Sequence, residues 1–153
     1  MGRGRQPGFH ARRKARRAAM QALYQWDLSG GSASEIEAQF RAEQPMEGVD
    51  LDYFAGLLRG TLAEVAALDE AIARHVDRPL AQVDPVERAI LRLAAYELAH
   101  RLEVPYRVVI DEAVELAKRF GAENGHRFVN GVLDRLAREL RAVETAASGG
   151  AGA

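Results

Sequence analysis

From Ala11 to about residue 144, apolar residues recur at spacings of three and four, and no sustained alternation replaces that pattern. Such spacing lays one face of a helix on a core, so the chain is predicted to be all-α. Val108-Val109-Ile110 is the only run that suggests a strand, and it lies inside a longer helical pattern. The first helix is expected from about Ala11 to Leu28, stopped by Ser29-Gly30-Gly31. Ser32-Ala33-Ser34-Glu35 is a capping-box pattern that opens a second, ending before Pro45. A third starts near Asp50 and holds its spacing to about His75. After a break at Asp77-Arg78-Pro79-Leu80, Asp84-Pro85-Val86-Glu87 gives the clearest start: a good cap, proline at the first turn and glutamate at the third position. The helix that follows, with Ile90, Leu91, Leu93, Ala94 and Leu98, is broad in apolar surface and reads as central. Another runs from Val104-Pro105 to a stop at Gly121, and a last one opens near Asn124.

Six or seven helices with short links make two packed small helical bundles, covering about 11–76 and 80–144 of one domain at 11–144. Residues 1–10 read as a flexible basic arm, and 145–153, rich in glycine and alanine, as a disordered tail. No stretch has the roughly 20 apolar residues of a membrane span. The basic N-terminus has no apolar segment behind it, as a signal peptide would. The absence of cysteine excludes disulfides and thiolate metal sites and suits a cytoplasmic protein.

The net charge of −1 hides a strong asymmetry. Residues 1–17 hold seven of the 21 basic residues and none of the 22 acidic ones, a basic end on an acidic body. That pattern points to a polyanion bound at one place. Within it, Arg12 and Arg16 share one helical face, and Arg13 and Arg17 another. Like charges at this spacing repel, so their presence together points to phosphates, which guanidinium forks fit well. The alternative is a solvated basic helix end, over which nucleic-acid contact is the favoured reading; composition does not separate RNA from DNA.

The stretch Phe120–Gly131 joins two helices and puts Asn124, His126, Arg127 and Phe128 at a helix N-terminus, where anions are favoured. An aromatic beside an arginine suits base stacking. From the residues alone an ordinary loop is the better reading, with Phe128 in the core and His126 as a capping or packing residue. Asp111, Glu112 and Glu115 read as a solvated acidic face. Tyr24, Trp26 and Tyr96 read as core. The four histidines form no ligand pair, and there is no Walker A loop, nucleophile elbow or dinucleotide turn. No enzyme, metal or cofactor is expected.

Two long stretches carry a resemblance. RRKARRAAMQALYQW (Arg12–Trp26) resembles the opening helix of the NusB family of bacterial transcription antitermination proteins. VERAILRLAAYEL, VPYRVVIDEAVELAKRFGAE and HRFVNGVLDRLAREL, between Val86 and Leu140, are similar to that family's C-terminal half. The resemblance implies two three-helix-type subdomains and binding to the boxA element of ribosomal RNA leader transcripts. It implies a heterodimer with NusE, the small-subunit ribosomal protein, loading onto elongating RNA polymerase with other Nus factors. It places the RNA surface at Arg12, Arg13, Arg16, Arg17, Asn124, His126, Arg127 and Phe128, and raises the loop from an ordinary connection to a site. It offers Tyr24 and Glu87 as partner-binding residues. Where the family often has Asp in this loop the chain has Asn124, which removes a negative charge beside phosphate. The competing expectation is a helical protein–protein module with a nonspecific basic arm.

Overall fold

The computed structural model describes residues 8–152, with side chains for 8–148. Most of the basic arm expected at 1–10, including Arg3 and Arg5, therefore lies outside the described residues.

Each helix has a local reason to begin or end where it does. α1 (Phe9–Ser29) starts after Gly8 and stops at Gly30, whose φ of 76° is the left-handed region that closes a helix cheaply only for glycine. It begins inside the segment expected to be a flexible arm. α2 (Ala33–Glu43) opens on the expected capping box, Ser32 and Glu35 each satisfying the other's backbone N–H. α3 (Leu51–Ala63) is capped by Asp50, which accepts from the N–H of Tyr53. The single helix expected from about Asp50 to His75 is two. Glu64 leaves helical geometry at φ −108°, ψ 13°, and α4 (Val65–Ala73) begins at the next residue. A break of one residue leaves the apolar spacing unbroken, which is why periodicity alone joined the two.

A 3-10 turn at Leu80–Gln82 leads into α5 (Pro85–His100), capped by Asp84. α6 (Tyr106–Phe120) and α7 (Gly125–Leu140) follow. The tail expected from 145 to be disordered continues as α8 (Ala142–Gly152). Its start is tethered: the Glu144 carboxylate accepts from the N–H of Tyr106 at 2.9 Å and pairs with Arg141 at 2.6 Å. Among the described residues the count is thus eight α-helices and no strand.

As the apolar breadth of its sequence implied, α5 is central, packing against α1, α3, α4, α6 and α7. Ile90, Leu91, Ala95 and Leu98 have no exposed surface. One continuous core joins the residues before and after the 76–83 break. The α1 contribution is mainly small: Ala15, Ala18, Ala19 and Ala22, with Met20 and Leu23. Small residues let helix backbones approach closely. Polar ties cross the core as well. Arg92 grips Asp69 with two bonds of 2.8 and 2.9 Å, and Arg88 donates to Asp27 at 2.8 Å, joining α4 and the end of α1 to α5.

Candidate nucleic-acid interface

The arginines at the start of α1 have four different environments. Arg16 is 4% exposed and turned into the protein, where it grips Glu97 of α5 through three bonds of 2.9 to 3.1 Å. Burial works against its charge, but the Glu97 bonds more than offset this and hold its pKa above the usual value. Tyr53 donates its hydroxyl to the same carboxylate. Burial and the adjacent carboxylate both push that phenol's pKa up, so it stays protonated. Arg16, expected at an RNA surface, thus has its guanidinium committed to a buried pair, and it is also among the residues that line the groove between α1 and α6. Arg12 is half-buried, its guanidinium 4.2 Å from the centre of the Tyr53 ring.

Arg13 and Arg17 do face outward. Arg13 pairs with Glu112 of α6 at 3.0 and 3.1 Å. Glu112, expected on a solvated acidic face, is 7% exposed and serves as this anchor. Lys14 and Arg17 are exposed, and no carboxylate pairs with either among the described residues. Between α1 and α6 lies a groove of about 400 Å³ lined by His10, Arg13, Lys14, Arg17, Lys118 and Arg119, with Glu112 and Glu115 on its floor and rim. Lys118 and Arg119 were missed in the sequence, because basic residues in a last helical turn are sufficiently explained by the helix dipole.

Phe120 connects this groove to the loop beyond it. It is half-buried, with the guanidiniums of Arg17 and Arg119 5.9 and 5.4 Å from its ring centre. Immediately after it the chain turns through Gly121–Asn124 into α7. Asn124 is exposed, with φ 64°, a backbone conformation that asparagine tolerates better than most residues. No side chain caps α7 and its first turn has no acid of its own, but the buried Glu87 carboxylate of α5 lies against Gly125, at the positive end of the α7 dipole. Arg127 is exposed, and His126 and Phe128 are half-buried. Arg78, from the 76–83 break, lies 4.5 Å over the Phe128 ring and covers one of its faces. In the sequence Arg78 reads only as part of the break between two helices.

The two residues expected at a partner surface differ. Tyr24 is half-buried against the core. Glu87 is 5% exposed and accepts from the N–H of Ala122 at 3.1 Å. It faces the α6–α7 loop from beneath, and little of it is open to solvent in the free chain. Burial raises its pKa above the usual carboxylate range and Asp84 adds to the effect, against the Ala122 bond and Arg78.

Fold and surface together define a class: an all-helical protein with a cationic groove, an aromatic at its edge and an adjoining loop at a helix N-terminus. The NusB family model matches residues 13–138. The transcription antitermination protein NusB of Xanthomonas euvesicatoria pv. vesicatoria (strain 85-10) is 55% identical over 152 residues, covering 98% of this chain and 94% of that protein. Its counterpart in Shewanella amazonensis (strain ATCC BAA-1098 / SB2B) is 58% identical over 125 residues, 82% of this chain and 93% of that one. Among solved structures, T. maritima NusB superposes with a TM-score of 0.73 at 35% identity, covering 88% of this chain and 93% of that one. A structure of the antitermination factors NusB and NusE in complex with dsRNA gives a TM-score of 0.77 at 28% identity, over 86% and 98% of the two chains. The chain belongs to the NusB family, whose members are transcription antitermination factors and not enzymes. No helix among the described residues is long and apolar enough to cross a membrane.

Proposed function

We propose that the chain is a transcription antitermination factor that binds the boxA element of ribosomal RNA leader transcripts as a heterodimer with NusE. In this reading the pair loads onto elongating RNA polymerase with other Nus factors, in the cytoplasm. The observation that carries the RNA part is the continuous face made by Arg13, Lys14 and Arg17 of α1, Lys118 and Arg119 of α6, and the loop beyond Phe120. Guanidiniums and ammoniums there take phosphates, while half-exposed Phe120 and the Arg78–Phe128 stack offer platforms for unpaired bases. The related structure containing NusE and dsRNA supports both partners.

Phosphate contacts give salt-dependent affinity that tolerates any sequence, so choice of boxA must come from base contacts. NusE extends the RNA surface, and the affinities of the two partners are linked reciprocally. Tyr24, half-buried on α1, is the candidate for the NusE side. The test is a titration of boxA-like single-stranded RNA and a scrambled control, with and without NusE, over a salt series. Preference for boxA that sharpens with NusE is expected. Equal binding of scrambled RNA in both conditions would make this a protein-binding module with a nonspecific basic end. Asn124→Asp should weaken binding modestly, because it returns a negative charge to the loop.

A further inference from the structure

A glutamate at the third position of a helix ordinarily folds back onto its own cap. In α5 only half of that box is present: Asp84 accepts from the N–H groups of Val86 and Glu87 at 3.1 and 3.2 Å, and Glu87 does not return a bond to the N–H of Asp84. Glu87 reaches the other way, into the α6–α7 connection, and takes the N–H of Ala122. The loop closes tightly over it. A β-carbon on Gly125 would fall inside the Glu87 carboxylate, and one on Gly121 would stand 3.3 Å from the same oxygen. Gly125 thus makes room for the buried carboxylate, whereas a β-carbon on Gly121 would first meet the Ala117 carbonyl oxygen, at 2.8 Å. Between the two glycines, Ala122, Glu123 and Asn124 face solvent, and His126, Arg127 and Phe128 follow at once.

We propose that Glu87 is a positioning residue for the RNA-contacting loop: it fixes the loop from beneath through Ala122, and Gly125 is the complementary gap that accepts it. The inference rests on the RNA reading of this loop given above. It assigns the effect of Glu87 to RNA affinity through loop geometry, not to direct contact with a protein partner. Gln keeps an acceptor oxygen at the same place and should keep the function, whereas Ala should not.

The experiment combines backbone amide NMR with titration of boxA-like single-stranded RNA and of NusE. Wild type, E87Q, E87A, G125A and the E87A/G125A double variant are compared, with R17A as a control on the groove. In E87A the Ala122 amide should shift to higher field and RNA affinity should fall about fivefold, the value of one lost hydrogen bond. E87Q should stay within about twofold of wild type in RNA affinity, a difference worth less than half of one hydrogen bond. G125A should weaken RNA binding too, and the double variant should lose less than the two single losses combined, because removing the carboxylate removes the clash. NusE affinity should not follow these changes. If E87A leaves RNA binding and the Ala122 amide alone and weakens NusE instead, Glu87 is a partner contact and the proposal is overturned, while a loss in R17A would leave the RNA reading intact. If R17A, E87A and G125A all leave RNA binding unchanged, both fall. Should E87A fail to fold, G125A and E87Q still decide between these outcomes.

Discussion

Four arginines within six residues of α1 carry one formal charge each, yet the helix sends them to different jobs. Arg16 lies three and seven residues before Ala19 and Leu23, both buried, so it belongs to the inward stripe of α1. Glu97 lies four residues after Leu93 and three after Ala94 and is the acid on the inward face of α5. Removing one partner of such a buried pair costs about 3–5 kcal/mol, because the other charge is left uncompensated. Arg16→Ala should therefore lower stability by about that amount in urea unfolding. Arg17→Ala should leave stability within about 0.5 kcal/mol, as for ordinary surface changes, and weaken RNA binding. The reverse pattern would show that the inward and outward assignments are mistaken. The cationic run was legible as charge, but its direction was not. A basic cluster invites a surface reading, and only the pairing of its register with Glu97, an acid among the buried apolar residues of α5, would have singled out Arg16. Glu112 was misplaced for the same reason, because its neighbours Asp111 and Glu115 are exposed and acidic.

Helix signals were strongest where chemistry is local. The Ser32 capping box, the Asp84 cap with Pro85 and the Gly30 stop each act within a few residues, and each marks the boundary it implied. What escaped the sequence depends on contacts distant along the chain. α8 has a composition that favours no structure, yet its first turn is held by Arg141 and Tyr106. Arg141, 5% exposed, also donates to the carbonyl oxygens of Glu97, Leu98, Arg101 and Val104, closing the end of α5. Arg141→Met should cost about 3 kcal/mol or more in urea unfolding, since several buried acceptors lose their donors together. Glu144 adds a dependence on pH. The Tyr106 N–H, with Arg141, lowers its folded pKa. Its stabilising effect is thus present above the unfolded value of about 4.3 and is lost as pH falls through the lower folded value. Protection of α8 amides from hydrogen exchange should fall over that acid range, and Glu144→Gln should remove this part of the pH dependence.

Across the whole molecule, the net charge of −1 conceals a cationic face on an otherwise acidic protein. The groove exists because α1 and α6 both lie beside α5, which brings Arg17 and Lys118 together over a hundred residues of chain. No short stretch of sequence contains that juxtaposition. The all-helical architecture was readable from periodicity, and the face could be half read: its α1 edge and its loop, but not its α6 edge. The same packing joins the groove to the loop at Phe120, so that the two form one continuous surface.

RNA binding across the α1–α6 groove, as proposed, carries a direct electrostatic signature. The most direct measurement is the salt dependence of boxA RNA affinity for wild type and for a variant lacking Arg17, Lys118 and Arg119. Each phosphate contact contributes about 0.7 to the slope of log K against log salt for a single strand, so the variant's slope should be shallower by about 2. An unchanged slope, with the variant folded, would contradict the account and place the RNA elsewhere on the protein.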